Sequence, residues 1–131
     1  CGADGLHLGS GDISPNQARK ILGNKSIIGR TVHSLSELHK FSKEKIDYVS
    51  IGPVFKTKTK PNLLPLKIKQ LQSLASRTQK LTFAIGGITL YNIGSLTQIG
   101  IKNIAICRGI ILENDLKSTV KNFKKCLQKA S

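Results

Sequence analysis

The chain alternates between two hydrophobic periods. Short apolar runs occur at Ala3–Leu8, Ser26–Thr31, Asp47–Ile51, Leu81–Ile85 and Asn103–Cys107. They are partly β-branched and mostly flanked by glycine, as buried parallel strands are. Amphipathic patterns of helical period lie between them. Ser14-Pro15, an N-cap followed by proline at the first helical position, predicts a helix running to about Leu22. A second is expected from Ser36 to about Lys43, capped by Ser34 or Ser36. Leu66, Ile68, Leu71 and Leu74 give a third its stripe, from Pro65 to about Arg77. Tyr91 to Ile99 forms a fourth, and Val120, Phe123 and Leu127 mark a fifth that runs to the C-terminus.

Strand followed by helix, five times over, predicts an α/β fold with a parallel sheet and crossover helices. Two architectures share this order, a doubly wound sheet and a (β/α)₈ TIM barrel. Five units do not close a barrel, which takes eight strands. The chain has no Met and starts at Cys1, so it is not expected to be an intact translation product. That admits a partial barrel, with residues 1–131 as a single domain made of about the last five βα units.

Charge narrows the class of partner. Lys and Arg number 21 against 7 acidic residues, a net charge of +14, which favours anionic ligands. The cations are scattered, and only Lys56-Lys58-Lys60 and Lys121-Lys124-Lys125 cluster. Aromatic residues make up 5%, too few for base-stacking platforms, so nucleic acid is not expected. Cys1, Cys107 and Cys126 have no metal-type spacing and form no even disulfide framework. Cys107, in an apolar run, reads as a small core residue. No apolar stretch is long enough to span a bilayer. The expected location is the cytoplasm.

The turns after the strands carry the chemistry. Ligands of parallel α/β folds bind at the carboxyl edge of the sheet. The third strand empties there into Gly52-Pro53-Val54-Phe55-Lys56-Thr57-Lys58-Thr59-Lys60-Pro61. Its hydroxyl and ammonium groups can donate to phosphate oxygens, or can simply be a solvated charged loop. Asp12 is the only carboxylate after the first strand and fits either a turn residue or a metal ligand. Thr31 and His33 alternate, so both can face one side of the sheet; His33 fits a proton carrier or a packed, hydrogen-bonded residue. Gly86-Gly87, between strand and helix, would let backbone N–H groups approach a phosphate at a helix N-terminus. Arg108 closes the fifth strand, facing ligand or solvent.

In order along the chain, these segments resemble the thiamine phosphate synthase and thiazole tautomerase superfamily. The matching pieces are Gly2-Ala3-Asp4-Gly5-Leu6-His7-Leu8-Gly9, Ile28-Gly29-Arg30-Thr31-Val32-His33-Ser34, Asp47-Tyr48-Val49 through Phe55, Thr57-Lys58-Thr59-Lys60, and Ile85-Gly86-Gly87-Ile88. The resemblance implies a (β/α)₈ barrel of which this chain is the fourth to eighth units. It also implies an enzyme, a transferase that condenses hydroxymethylpyrimidine diphosphate with thiazole phosphate and releases pyrophosphate, with Mg²⁺ as cofactor. By position, it implies Asp12 as a Mg²⁺ ligand and Thr31 on the pyrimidine diphosphate, in place of the usual serine. Thr57, Lys58 and Thr59 fall on the thiazole phosphate, Lys60 on the diphosphate, and Gly86 with Gly87 on the thiazole phosphate through the backbone. Cys107 and Arg108 occupy the last phosphate-binding pair, where an apolar residue and serine are usual. The family's Asn-Asp pair and its basic pyrimidine diphosphate motif would precede Cys1.

The implied partners are therefore small phosphorylated substrates, with no membrane and, as the one protein partner entertained, further copies of the chain in a homo-oligomer. Thiamine phosphate synthase is the leading expectation. A thiazole tautomerase-like protein using His33, and a non-catalytic remnant that binds anions, are the alternatives.

Overall fold

The computed structural model describes residues 2–128. Its strands are β1 (Gly5–Leu8), β2 (Ile27–Val32), β3 (Tyr48–Ile51), β4 (Leu81–Ile85) and β5 (Ile104–Ala105). All pair in parallel, in the order β1-β2-β3-β4-β5. A doubly wound sheet reverses its order at a switch point, whereas this one advances monotonically, as a barrel wall does. The fold is α/β and a partial barrel.

Five helices lie near their predicted positions: α1 (Pro15–Leu22), α2 (Leu35–Ser42), α3 (Ile68–Ser76), α4 (Ile93–Thr97) and α6 (Leu116–Gln128). Ser14 caps α1 through the Gln17 N–H, and the Gln17 side chain returns the bond to the Ser14 N–H. Ser34, not Ser36, caps α2 by accepting from Glu37 N–H at 3.2 Å. The third helix starts three residues later than its stripe suggests, because the Leu66 N–H donates to Pro53 O at 2.8 Å and ties that stretch across the loop. A short helix, α5 (Arg108–Ile111), follows β5 directly. The sequence reading missed it because Ile104 to Ile111 is apolar but for Arg108, and periodicity does not separate strand from helix in so short a run. The expected end of the last helix, residues 129–131, lies outside the described residues.

Alternate strand residues face opposite ways. Leu8, Ile28, Val32, Val49, Ile51 and Ala84 pack against Leu38, Phe41, Leu71, Leu74, Ile93, Leu96 and Phe123 in one buried cluster. Leu71 and Leu96 are fully buried; truncating either to Ala would cost about 2–5 kcal/mol. Arg30 shares this face. Its guanidinium lies 4.3 Å from the Phe41 ring and donates to Ile13 O at 3.2 Å.

The opposite face carries His7, Thr31, Tyr48 and Phe83. Tyr48 stacks on His7 with centroids 5.5 Å apart and meets Phe83 edge-on at 5.4 Å. Gly29 makes room for this packing: a Cβ there would lie 2.0 Å from the Tyr48 ring. At the amino edge of the sheet, Arg19 gathers the loops. It donates to Lys45 O at 3.2 Å, to Asn24 O at 3.1 Å, to Ser26 O, and to the Asp47 carboxylate at 2.5 Å. The N–H of Ile28, at 2.7 Å from the same carboxylate, is the main cause holding the Asp47 carboxyl below its ordinary value of 3.8; Arg19 adds to it, against the effect of burial.

Candidate active site

Four loops at the carboxyl edge enclose a cleft of about 620 Å³, within the usual size range of small-molecule sites. The first wall is the β3 loop. Val54 N–H donates to Ile85 O and Phe55 N–H to Gly86 O, both at 3.0 Å, so the loop is laid against the end of β4. The peptide between Gly52 and Pro53 is cis. Lys56, Thr57, Lys58, Thr59 and Lys60 then line the cleft. The Thr59 N–H donates to Thr57 Oγ1 at 3.2 Å, which turns the loop back on itself.

The second wall is the turn after β4. Gly86 has φ +102° and Gly87 φ +65°, and both line the cleft. Only glycine holds such angles without strain. The helix that follows begins at Ile93, so the two glycines are not at its N-terminus, contrary to expectation. The Thr89 N–H instead bonds the Asn92 side chain, which occupies the intervening turn. Among the described residues, the N–H groups of Gly87 and Ile88 have no acceptor.

The third wall comes from β5 and α5. Cys107 and Arg108 line the cleft, and Cys107 is exposed rather than buried in the core. The chain turns into α5 immediately after β5, which carries the thiol out of the apolar layer. The lining thus holds four Lys and Arg side chains against one carboxylate, Glu113. No hydrogen bond or ion pair engages the side chains of Lys56, Lys58, Lys60 or Arg108 among the described residues.

The fourth wall is the end of β2, with Thr31 in the strand and His33 just past it. His33 Nδ1 bonds the Gly52 carbonyl. A carbonyl only accepts, so Nδ1 carries the proton in the neutral ring and Nε2 is left as an acceptor. Thr31 Oγ1 is 2.8 Å from His7 Nε2, and Tyr48 Oη is 3.0 Å from His7 Nδ1. Burial, then the nearby Lys60 charge, hold the His7 pKa below 6.5; Asp12 pulls the other way and Arg30 adds a smaller lowering. The neutral ring has one donor and one acceptor, so one hydroxyl donates to it and the other accepts. Sequence reasoning passed over this trio. Its signal was parity: His7, Thr31 and Tyr48 all occupy positions facing away from the apolar helix layer.

Asp12 stands apart from the cleft lining. It is exposed in the β1 loop, where its carboxylate accepts the Gly9 N–H at 2.6 Å through one oxygen. The described residues contain no group of three His, Cys, Asp or Glu that could hold a metal alone. Mg²⁺, however, is commonly held by one or two carboxylates completed by substrate phosphates and water, and the second Asp12 oxygen, which has no partner among the described residues, fits that manner of binding. Chemically, the cleft can hold oxyanions through unpaired ammonium, guanidinium, hydroxyl and backbone N–H donors.

The chain is thus a parallel, monotonically wound βα arc, a partial barrel with a cationic cleft at its carboxyl edge. The chain belongs to the thiamine monophosphate synthase family, whose family model matches residues 1–110. It is 42% identical over 113 residues to the thiamine-phosphate synthase of Prochlorococcus marinus strain SARG, covering 86% of this chain and 33% of that protein. It is 34% identical over 126 residues to thiamine-phosphate synthase 1 of Aquifex aeolicus, covering 96% of this chain and 59% of that protein. Among solved structures it is similar to a thiamine phosphate pyrophosphorylase from Pyrococcus furiosus. The TM-score is 0.87 at 26% identity, over 98% of this chain and 61% of the other. The chain therefore spans from one third to three fifths of the length of these relatives.

Proposed function

We propose that the protein is a thiamine phosphate synthase: it joins a pyrimidine diphosphate to a thiazole phosphate and releases pyrophosphate. The observation that carries this reading is the cleft lined by Thr57, Lys58, Thr59 and Lys60 on one side and Gly86-Gly87 on the other, in a chain of this family. In the reaction the C–O bond between the pyrimidine methylene and the diphosphate breaks, and the thiazole nitrogen forms the new C–N bond to that carbon. The leaving diphosphate gains negative charge, and groups already aimed at it lower the barrier.

Lys60 and Thr31 bind the diphosphate. Thr57, Lys58, Thr59, the N–H of Gly87 with its Gly86 neighbour, and the Cys107-Arg108 pair bind the thiazole phosphate. Arg108 supplies a charged donor beside that phosphate. Asp12 would hold Mg²⁺ together with diphosphate oxygens, and the ion when bound offsets charge on the leaving group. The expected partners are these two small phosphorylated substrates.

The His33 geometry favours one second reading, thiazole tautomerase-like chemistry. With Nδ1 tied to Gly52 O, Nε2 is free to take a proton from a bound thiazole. Assay of the full-length protein with both substrates and Mg²⁺ separates the two. Thiamine phosphate formation supports the synthase, and Asp12→Ala should raise the Mg²⁺ concentration needed for half-maximal rate. Isomerisation of the thiazole phosphate without thiamine phosphate would move the assignment to the tautomerase.

A further inference from the structure

We infer that Asn92 is a positioning residue for the phosphate-facing turn, holding the Ile88 N–H toward the cleft from behind and fixing the turn that carries the Gly87 N–H. The inference rests on the proposed function for its substrate, but its geometry is independent of it. Asn92 precedes α4 in the position of an N-cap, yet its side chain makes no bond to that helix. It reaches backward instead. Its Oδ1 accepts the Thr89 N–H at 2.8 Å and its Nδ2 donates to Gly87 O at 2.9 Å. One amide thus spans the turn from the carbonyl of residue 87 to the N–H of residue 89.

The consequence follows from peptide geometry. In a trans peptide the C=O and the N–H point in opposite directions. Tying Gly87 O to Asn92 therefore aims the Ile88 N–H away from Asn92. Asn92 does not line the cleft, whereas Gly87 and Ile88 do, so away from Asn92 is toward the cleft. The preceding peptide is set in the same way, because Gly86 O accepts the Phe55 N–H at 3.0 Å, which fixes the Gly87 N–H. The left-handed φ of +65° at Gly87 is a conformation a free chain visits among many, and two anchored carbonyls select it. The amide provides the donor and the acceptor on two separate atoms; ionised Asp keeps the acceptor and loses the donor, and Ala loses both.

The test uses Asn92→Ala and the isosteric Asn92→Asp in the full-length protein, with steady-state kinetics and amide NMR titrations with inorganic phosphate. For Asn92→Ala the KM for the phosphate monoester substrate should rise about tenfold, as expected when one hydrogen-bonded donor is lost. The kcat and the KM for the diphosphate substrate should be essentially unchanged. In Asn92→Asp the rise should be larger at alkaline pH and shrink as acid protonates the carboxyl and restores an O–H donor to Gly87 O. In the NMR arm, inorganic phosphate should shift the Gly87 and Ile88 amide resonances of the unsubstituted protein, and Asn92→Asp should need about tenfold more phosphate for the same shift.

A purely structural Asn92 would instead lower the folded fraction and the apparent kcat while leaving both KM values alone, and that outcome overturns the inference. So would Gly87 and Ile88 amides that ignore phosphate in the unsubstituted protein. If the full-length protein forms no thiamine phosphate yet its amides respond to phosphate in an Asn92-dependent way, the proposed function falls and the positioning role stands.

Discussion

Arg19 and Arg108 stand at opposite edges of one sheet, and their donors go to different places. At the amino edge, Arg19 is committed to the protein, bonding three backbone carbonyls and Asp47. At the carboxyl edge, Arg108 and the three loop lysines line a cleft without protein partners among the described residues. The backbone follows the same division. The amino edge closes its carbonyls on a side chain, while the carboxyl edge bends through two positive-φ glycines and leaves N–H groups open. Polar groups that are satisfied internally support the fold. Polar groups without internal partners at the cleft are available to a ligand. On the proposed function, folding and binding fall to opposite ends of the same strands.

Substitutions at the two edges should separate these roles. The largest effect is expected for Lys60→Ala: a fall in kcat/KM of about 10²–10³-fold, the usual consequence of deleting one donor aimed at developing charge. Because Lys60 is exposed, its denaturation midpoint should stay put, within about 0.5 kcal/mol in stability. Arg19→Ala should do the reverse. Removing a charged donor from four acceptors should cost about 2–4 kcal/mol, read by chemical denaturation. The activity per folded molecule should not change. An Arg19→Ala protein that is stable but inactive would break the division between edges.

The smallest effect concerns His7. Its imidazole should titrate below 6.5 by NMR, and Lys60→Ala should move the midpoint upward, since the Lys60 charge is one of the causes of the lowering. The sign for stability follows. The unfolded chain takes up this proton more readily than the folded one, so stability attributable to His7 is intact above 6.5. It is eroded as pH falls from there through the folded midpoint.

Much of this was legible in the sequence, and what was not has physical causes. The alternation of apolar runs and amphipathic segments identified all five strands, because each run is short, partly β-branched and mostly flanked by glycine. Strand order was not legible, since βα alternation is common to both windings and only the pairing register distinguishes them. In the cleft, Thr57 to Lys60 and Gly86-Gly87 stood out because their chemistry is local: hydroxyls, ammonium groups and flexible backbone within a few residues. Asn92 did not, because an asparagine beside a helix start reads as a cap; only coordinates reveal that it bonds backward. His7 was hidden for a related reason. Its partners Thr31 and Tyr48 are remote in sequence and meet only through the register that sets His7 beside Gly29 and Gly29 beside Tyr48. Cys107 was misjudged as core because nothing in its apolar neighbourhood signals the short helix that turns it outward.

The central claim is that the carboxyl-edge cleft recognises a phosphate group. Calorimetry of the full-length protein with thiazole phosphate and with the corresponding unphosphorylated alcohol tests it most directly. The account predicts that the alcohol binds at least about 100-fold more weakly, the loss expected when charge-assisted donors are left without their acceptor. Equal affinity for the two would contradict it.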